Sequence, residues 1–241
     1  TLPNPSKVGY LVLKDFITQA EAPLATAFNE FRVAGARDVI LELRYNGGGR
    51  ISTANVLASL VAGSAYNQNV FTNLIFNTKQ SAQNTSYRLS SQTAGFDRVV
   101  VLTGARTCSA SELVVNGLKP YVQVVTLGGQ TCGKPFGFVP QTNCNSTFSA
   151  VNFESFNASG QGRYYNGIAA TCSATDDFNG QLGDPSEILT AAASSYLQTG
   201  ICPAVATSVT TLSSRTSVLS AAIRRDQVTH EPGERRGMWA D

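Results

Sequence analysis

Short apolar runs bounded by turn residues alternate with longer amphipathic stretches along most of the chain, and this order restricts the fold more than any other feature. Val8 to Leu13 reads as a strand, Glu21 to Ala34 as an amphipathic helix, Asp38 to Leu43 as a buried strand and Ile51 to Ala62 as a second helix. Val70 to Phe76 fits a further strand, and Ser81 to Ala94 is a polar loop rich in Ser, Gln, Asn and Thr. Arg98 to Leu102 is then a strand, Ser109 to Lys119 a helix, and Val122 to Leu127 a strand that leads into a glycine-bearing loop through Lys134. Thr147 to Phe156 alternates like a half-exposed strand, and Pro185 to Tyr196 and Ser214 to Arg225 read as helices. Strand–helix–strand repetition specifies an α/β protein. The expected organisation is a core over residues 1–203, then a C-terminal helix and flexible tail over residues 204–241, with no internal repeat.

A chain of 241 residues that is 42% hydrophobic buries a full core. Its net charge of +2 forms no basic stripe, which argues against nucleic acid and anionic membranes as partners and leaves small neutral ligands or peptides. No apolar run reaches the roughly 18 residues of a membrane span. The start, Thr1-Leu2-Pro3-Asn4-Pro5-Ser6, has neither an initiator Met nor a signal-peptide pattern and reads as a linker, so a piece of a longer polypeptide is expected. The five cysteines, Cys108, Cys132, Cys144, Cys172 and Cys202, contain no Cys-x-x-Cys pair, and disulfides are the better reading than a zinc ribbon or redox motif. Their odd number leaves one thiol over, unless its partner lies on another segment.

The only histidine, His230, lies in a polar stretch broken by Pro232 and Gly233. A Ser-His-Asp triad or a histidine-based zinc site would depend on it alone, so neither is expected and no metal or cofactor is called for. Hydrolytic chemistry in this chain needs a base other than histidine.

Two loops follow strands and precede helices, where open α/β folds gather functional groups. The first is Leu43-Arg44-Tyr45-Asn46-Gly47-Gly48-Gly49-Arg50. Consecutive glycines let backbone amides approach a bound atom closely, as an oxyanion hole requires, although a flexible turn has the same composition. The Gly-Lys-Ser/Thr ending of a phosphate loop is absent. The second is Thr107-Cys108-Ser109-Ala110-Ser111-Glu112. Ser109 and Glu112 have capping-box spacing, so Ser109 caps the helix. A helix N-terminus also concentrates free amides and positive potential, which suits a nucleophile whose adduct is an oxyanion.

Lys134 follows a buried strand and a glycine, with no carboxylate nearby in sequence. Buried without an acidic partner, a lysine becomes a neutral amine able to take a proton from a serine hydroxyl; on a surface loop it stays charged.

The run Val39-Ile40-Leu41-Glu42-Leu43-Arg44-Tyr45-Asn46-Gly47-Gly48-Gly49, then Ser109-Ala110-Ser111-Glu112, then Gly133-Lys134, resembles the tail-specific (C-terminal processing) serine peptidases. That family has a Leu-Arg-x-Asn-x-Gly-Gly loop, a Ser-Ala-Ser-Glu helix start and a Phe-Gly-Lys-Gly loop in this order, and the 25 positions from Ser109 to Lys134 match its spacing. The likeness covers about residues 8–140 well and the rest loosely. It implies a Clp-protease/crotonase-like α/β spiral of strand-helix units, peptide-bond hydrolysis with Ser109 as nucleophile and Lys134 as general base, and an oxyanion hole from Gly47 or Gly48 with the Ala110 amide. It implies peptide or protein substrates, unstructured C-terminal segments above all, and an extracytoplasmic setting: periplasmic, secreted or lipoprotein-anchored through a missing N-terminus.

The chain departs from the pattern in places. Pro135 follows the lysine, and Phe138 stands where the family has a glutamine, a role Gln141 takes only after a local shift. The family's PDZ domain is not recognisable. A Cys108–Cys132 disulfide would pin the nucleophile loop to the base loop, and Cys144 with Cys172 would form a second pair, leaving Cys202. A Cys108 nucleophile lacks a partner histidine. Asn84, Asn145 and Asn157 begin glycosylation-type tripeptides, and Asp176, Asp177 and Asp184 read as turn and cap residues. Two other functions share the scaffold: a noncatalytic peptide- or ligand-binding module, and a crotonase-like acyl-CoA enzyme, which needs a catalytic carboxylate with no compelling candidate.

Overall fold

A computed structural model describes residues 7–92, 95–204 and 238–240. In chain order the elements are β1 (Lys7–Val12), α1 (Glu21–Val33), β2 (Ala36–Glu42), α2 (Ile51–Ala62), β3 (Val70–Phe76), β4 (Thr85–Arg88), β5 (Arg98–Thr103), α3 (Ala110–Leu118), β6 (Gln123–Gly128), β7 (Phe136–Phe138), β8 (Gln141–Asn143), β9 (Ser146–Phe148), β10 (Val151–Phe156), β11 (Cys172–Ser173), α4 (Ile188–Thr199) and β12 (Met238–Trp239). The first sheet has the order β1-β2-β5-β6-β11, parallel throughout.

Each successive strand of this sheet adds on the same side of the last, so right-handed crossovers place their helices on one face and wind the chain into a spiral. The two-residue period of the strands separates two cores. Val39, Leu41, Val99 and Val101 face the layer of α1, α2 and α3, where Phe28, Leu57 and Leu113 are buried. Ile40, Val100, Leu102 and Val125 face Leu189, Ala193 and Leu197 of α4. Burial on both faces explains the near-continuous apolar runs of β2 and β5.

The second sheet, β12-β7-β10-β3-β4, closes the other side of the helical layer, with Phe71, Leu74, Phe153 and Met238 in the same core as α1–α3. Gly117 permits this approach, since a Cβ there would strike the Phe71 ring.

The structure corrects the sequence reading in several places. The loop expected at Ser81 to Ala94 contains β4, a mostly exposed strand whose polar residues carry no apolar alternation. The strand expected from Thr147 to Phe156 divides into β9 and β10. Trp239, expected in a flexible tail, belongs to β12, paired in parallel with β7. Cys144 does not pair with Cys172: the second disulfide is Cys172–Cys202, which joins β11 to the segment after α4, while Cys144 is an exposed thiol at the turn between β8 and β9. The expected helix Ser214–Arg225, His230 and the segment Thr1–Ser6 lie outside the described residues. Among the described residues no helix is long and apolar enough to cross a membrane.

Candidate active site

Because β2, β5 and β6 are parallel neighbours, the loops leaving their carboxyl ends meet at one edge. These loops carry Gly47 to Gly49, Cys108 to Ala110, and Cys132 to Lys134. Backbone bonds lace them together. The Cys108 amide donates to Asn46 O at 3.1 Å, and the Cys132 amide to Thr107 O at 3.1 Å. The Thr107 hydroxyl donates to Leu43 O at 2.8 Å. The Cys108–Cys132 disulfide, with Cα atoms 5.3 Å apart, adds a covalent tie between the second and third loops.

Ser109 stands at the entry to α3 with φ 60° and ψ −112°. A serine held at positive φ is locally strained, and strand-to-helix turns of this kind present a side chain at the head of the helix. Its Oγ faces the Glu112 amide on the cap side of the helix, yet no hydrogen bond of normal geometry satisfies it, although the residue is fully buried.

Glu112, legible in sequence only as a capping partner, joins the loops. Its fully buried carboxylate accepts from the amides of Ser109 (2.9 Å), Gly133 (2.8 Å) and Lys134 (2.8 Å), and from the Thr131 hydroxyl (2.5 Å). The Ser109 and Lys134 amides share one oxygen, Oε2, which brings their backbones within two hydrogen-bond lengths of each other. Lys134 itself is half-buried.

Gly48 seats the glycine loop against Ser109. A Cβ there would lie 2.8 Å from Ser109 Cβ and 3.0 Å from Ala110 N, and its φ of 111° also demands glycine. The Gly48 amide donates to Asn46 Oδ1 at 2.8 Å, and Asn46 Nδ2 donates to Leu13 O at 2.9 Å, so buried Asn46 shapes the loop. Gly47 is half-buried with open space over its Cα. Ser109, Ala110, Gly48 and the Lys134 backbone are thus brought together. Gln141, by contrast, opens the exposed β8–β9 hairpin, paired with Phe148.

An ion cluster supports the root of the glycine loop. Buried Arg44 pairs with Glu42 (2.6 Å), Glu187 (2.8 Å) and Asp176 (3.2 Å), and Tyr45 hydrogen-bonds Asp176. Burial works against the Arg44 charge, but the hydrogen bonds to Glu42 and Glu187 outweigh it and hold the guanidinium above its ordinary pKa. Burial likewise pushes Glu187 up, and its bonds with Arg44 and Thr190 reverse this, leaving its carboxyl below the ordinary value. The sequence signal is two charges, Glu42 and Arg44, alternating with Leu41 and Leu43 at the end of the apolar run that starts at Val39. Asp176, Asp177 and Asp184 cap turns as expected, accepting from the amides of Phe178, Asn179 and Ser186. No cluster of three metal-ligating side chains occurs among the described residues. Asn157 is buried and bonded to Asn116 and Gln161, which removes its tripeptide as a glycan acceptor in the folded chain.

A family model for peptidase family S41 matches residues 7–172, a span that holds all three loops. The chain belongs to peptidase family S41. The S41 chain is 27% identical over 131 residues to a carboxyl-terminal-processing protease of Picosynechococcus sp., covering 54% of this chain and 30% of that protein. A carboxyl-terminal-processing protease of Synechocystis sp. is also 27% identical, over 127 residues, covering 53% of this chain and 28% of that protein. The chain therefore spans less than a third of the curated relatives it matches. A solved Bacteroides fragilis structure assigned to the S41 proteases superposes with a TM-score of 0.76 at 27% identity, over 83% of this chain and 56% of that one. The photosystem II D1 C-terminal processing protease shares the fold, with a TM-score of 0.57 at 22% identity over 71% of this chain and 44% of that one.

Proposed function

We propose that this S41 chain is the core of a serine endopeptidase that hydrolyses peptide bonds with Ser109 as nucleophile and Lys134 as general base. The observation that carries the reading is the convergence of the Ser109 and Lys134 backbones on one carboxylate oxygen of Glu112, with Ser109 at positive φ at the head of α3. In the proposed reaction Ser109 Oγ attacks the substrate carbonyl while Lys134 Nζ takes its proton. The oxyanion of the tetrahedral intermediate is met by the Ala110 amide in the first turn of α3 and by the glycine loop packed against it. Lys134 returns the proton to the departing amine, and water then releases the acyl group from Ser109. The substrates are polypeptides in extended conformation, as unstructured or C-terminal segments are. The two disulfides favour an extracytoplasmic setting, where such bonds persist.

Turnover of an unfolded protein and a peptide library, without reductant, tests this reading. Wild type is expected to cleave, and Ser109→Ala and Lys134→Ala to lose at least about 1,000-fold in kcat while still binding peptide. Equal peptide binding by all three, with no cleavage by any, would replace the enzyme with a binding module.

A further inference from the structure

Ser109 is fully buried, so a substrate carbonyl reaches it only after part of the surround moves. One short strand is seated against continuations of both catalytic loops. In β12, Met238 lies opposite Gly137 and Trp239 opposite Phe138 of β7, in parallel, while on its other edge Trp239 bridges to Arg50. The Trp239 amide donates to Gly49 O at 3.3 Å and the Ala240 amide to Phe138 O at 3.2 Å. Gly49 follows the glycine that abuts Ser109, and β7 begins two residues after Lys134. The slot filled by β12 therefore has the nucleophile-side loop as one wall and the lysine-side strand as the other.

Backbone groups hold whatever strand lies in this slot, and side-chain seats grade it. Met238 is fully buried, Trp239 stacks on Phe138 with ring centroids 6.3 Å apart, and Ala240 borders a cavity of about 320 Å³ lined by Leu74, Phe76, Tyr87 and Val139. These seats fit an extended peptide with an apolar and then an aromatic residue, and the open volume beside Ala240 leaves room for a larger third side chain. A two-residue strand is also the kind of element that opens locally without unfolding the rest.

We propose that this slot is the seat of the extended substrate strand, and that Met238–Ala240 occupies it as an internal stand-in that must leave before a substrate is laid against the glycine loop. The inference rests on the peptidase reading and adds to it a preferred peptide pattern and a built-in block on access.

Trp239 is the only tryptophan of the chain, so its emission reports the strand directly. The full chain carrying Ser109→Ala is titrated with the tryptophan-free peptide Gly-Met-Phe-Ala-Asp, to concentrations on the order of millimolar because the internal strand competes at a high effective concentration. Displacement is expected to shift Trp239 emission to the red and raise its quenching by acrylamide. Met238→Ser, which empties the apolar seat, is expected to tighten peptide binding at least roughly tenfold by freeing the slot, and to raise wild-type turnover severalfold. Peptide binding with unchanged Trp239 emission, or no detectable binding, would overturn the proposal, and neither result depends on how Met238→Ser folds. If wild type cleaves substrates and Trp239 never moves, the block fails and the peptidase reading stands. If Trp239 is displaced but no form of the chain cleaves, the slot stands and the peptidase reading falls.

Discussion

At residue 112 one carboxylate accepts three backbone amides and a hydroxyl from two different loops, those of Ser109 and Lys134, beside the disulfide that ties the same loops covalently. Glu112→Gln keeps the volume but replaces one acceptor oxygen with a donor. It should lower kcat about 100-fold by letting the Ser109 and Lys134 backbones drift apart, with KM nearly unchanged. Glu112→Ala leaves buried amides unsatisfied and should cost about 3 kcal/mol of stability, read by denaturant titration. The Ser109–Glu112 spacing is legible in sequence as a capping box, but a capping box is local. That the same carboxylate also takes the amides of Gly133 and Lys134 depends on two strands being neighbours, which spacing within one loop does not encode.

At the scale of elements, the site is three strand ends and the start of α3. The Cys108–Cys132 disulfide crosses from the second loop to the third over a sequence separation of 24. Reduction, or the double variant Cys108→Ser/Cys132→Ser, should cost about 3 kcal/mol of stability by releasing a constraint on the unfolded chain. On the proposed mechanism kcat should fall with it, since the same bond holds the Ser109 loop to the Lys134 loop. Assays with and without reductant, below the melting temperature of the reduced form, check this; unchanged kcat would assign the bond to stability alone. Strands β2, β5 and β6 are legible because burial on both faces makes them continuous apolar runs. β4, β8 and β12 are not, because exposed strands of polar residues and strands of two or three residues carry no period to read.

Across the whole molecule, the Arg44 cluster ties the glycine-loop root on β2 to Glu187 at the N-terminus of α4, so the two cores on either face of the sheet share one ionic link. Glu187 has a folded-state pKa below its ordinary value, so its contribution to stability is complete above the unfolded pKa and disappears as pH falls through the folded one. Stability to denaturant should therefore decline on acidification below about pH 4, the ordinary range of glutamate. Glu187→Gln should lose about 1–3 kcal/mol at neutral pH and show a flatter acid limb, because the variant has no proton to gain there.

The sequence by itself determined the α/β class, the alternation that winds the spiral, and the three loop motifs in their order. Each of these is a local or periodic property that survives in one dimension. Only the tertiary structure decided which cysteines meet, that Glu112 serves two loops, that Arg44 is shared by three carboxylates, and that Met238–Trp239 fills a slot beside the glycine loop. Those outcomes depend on which strand lies beside which, and strand order is set by burying both faces of one sheet at once, a constraint on the whole chain that no single segment carries.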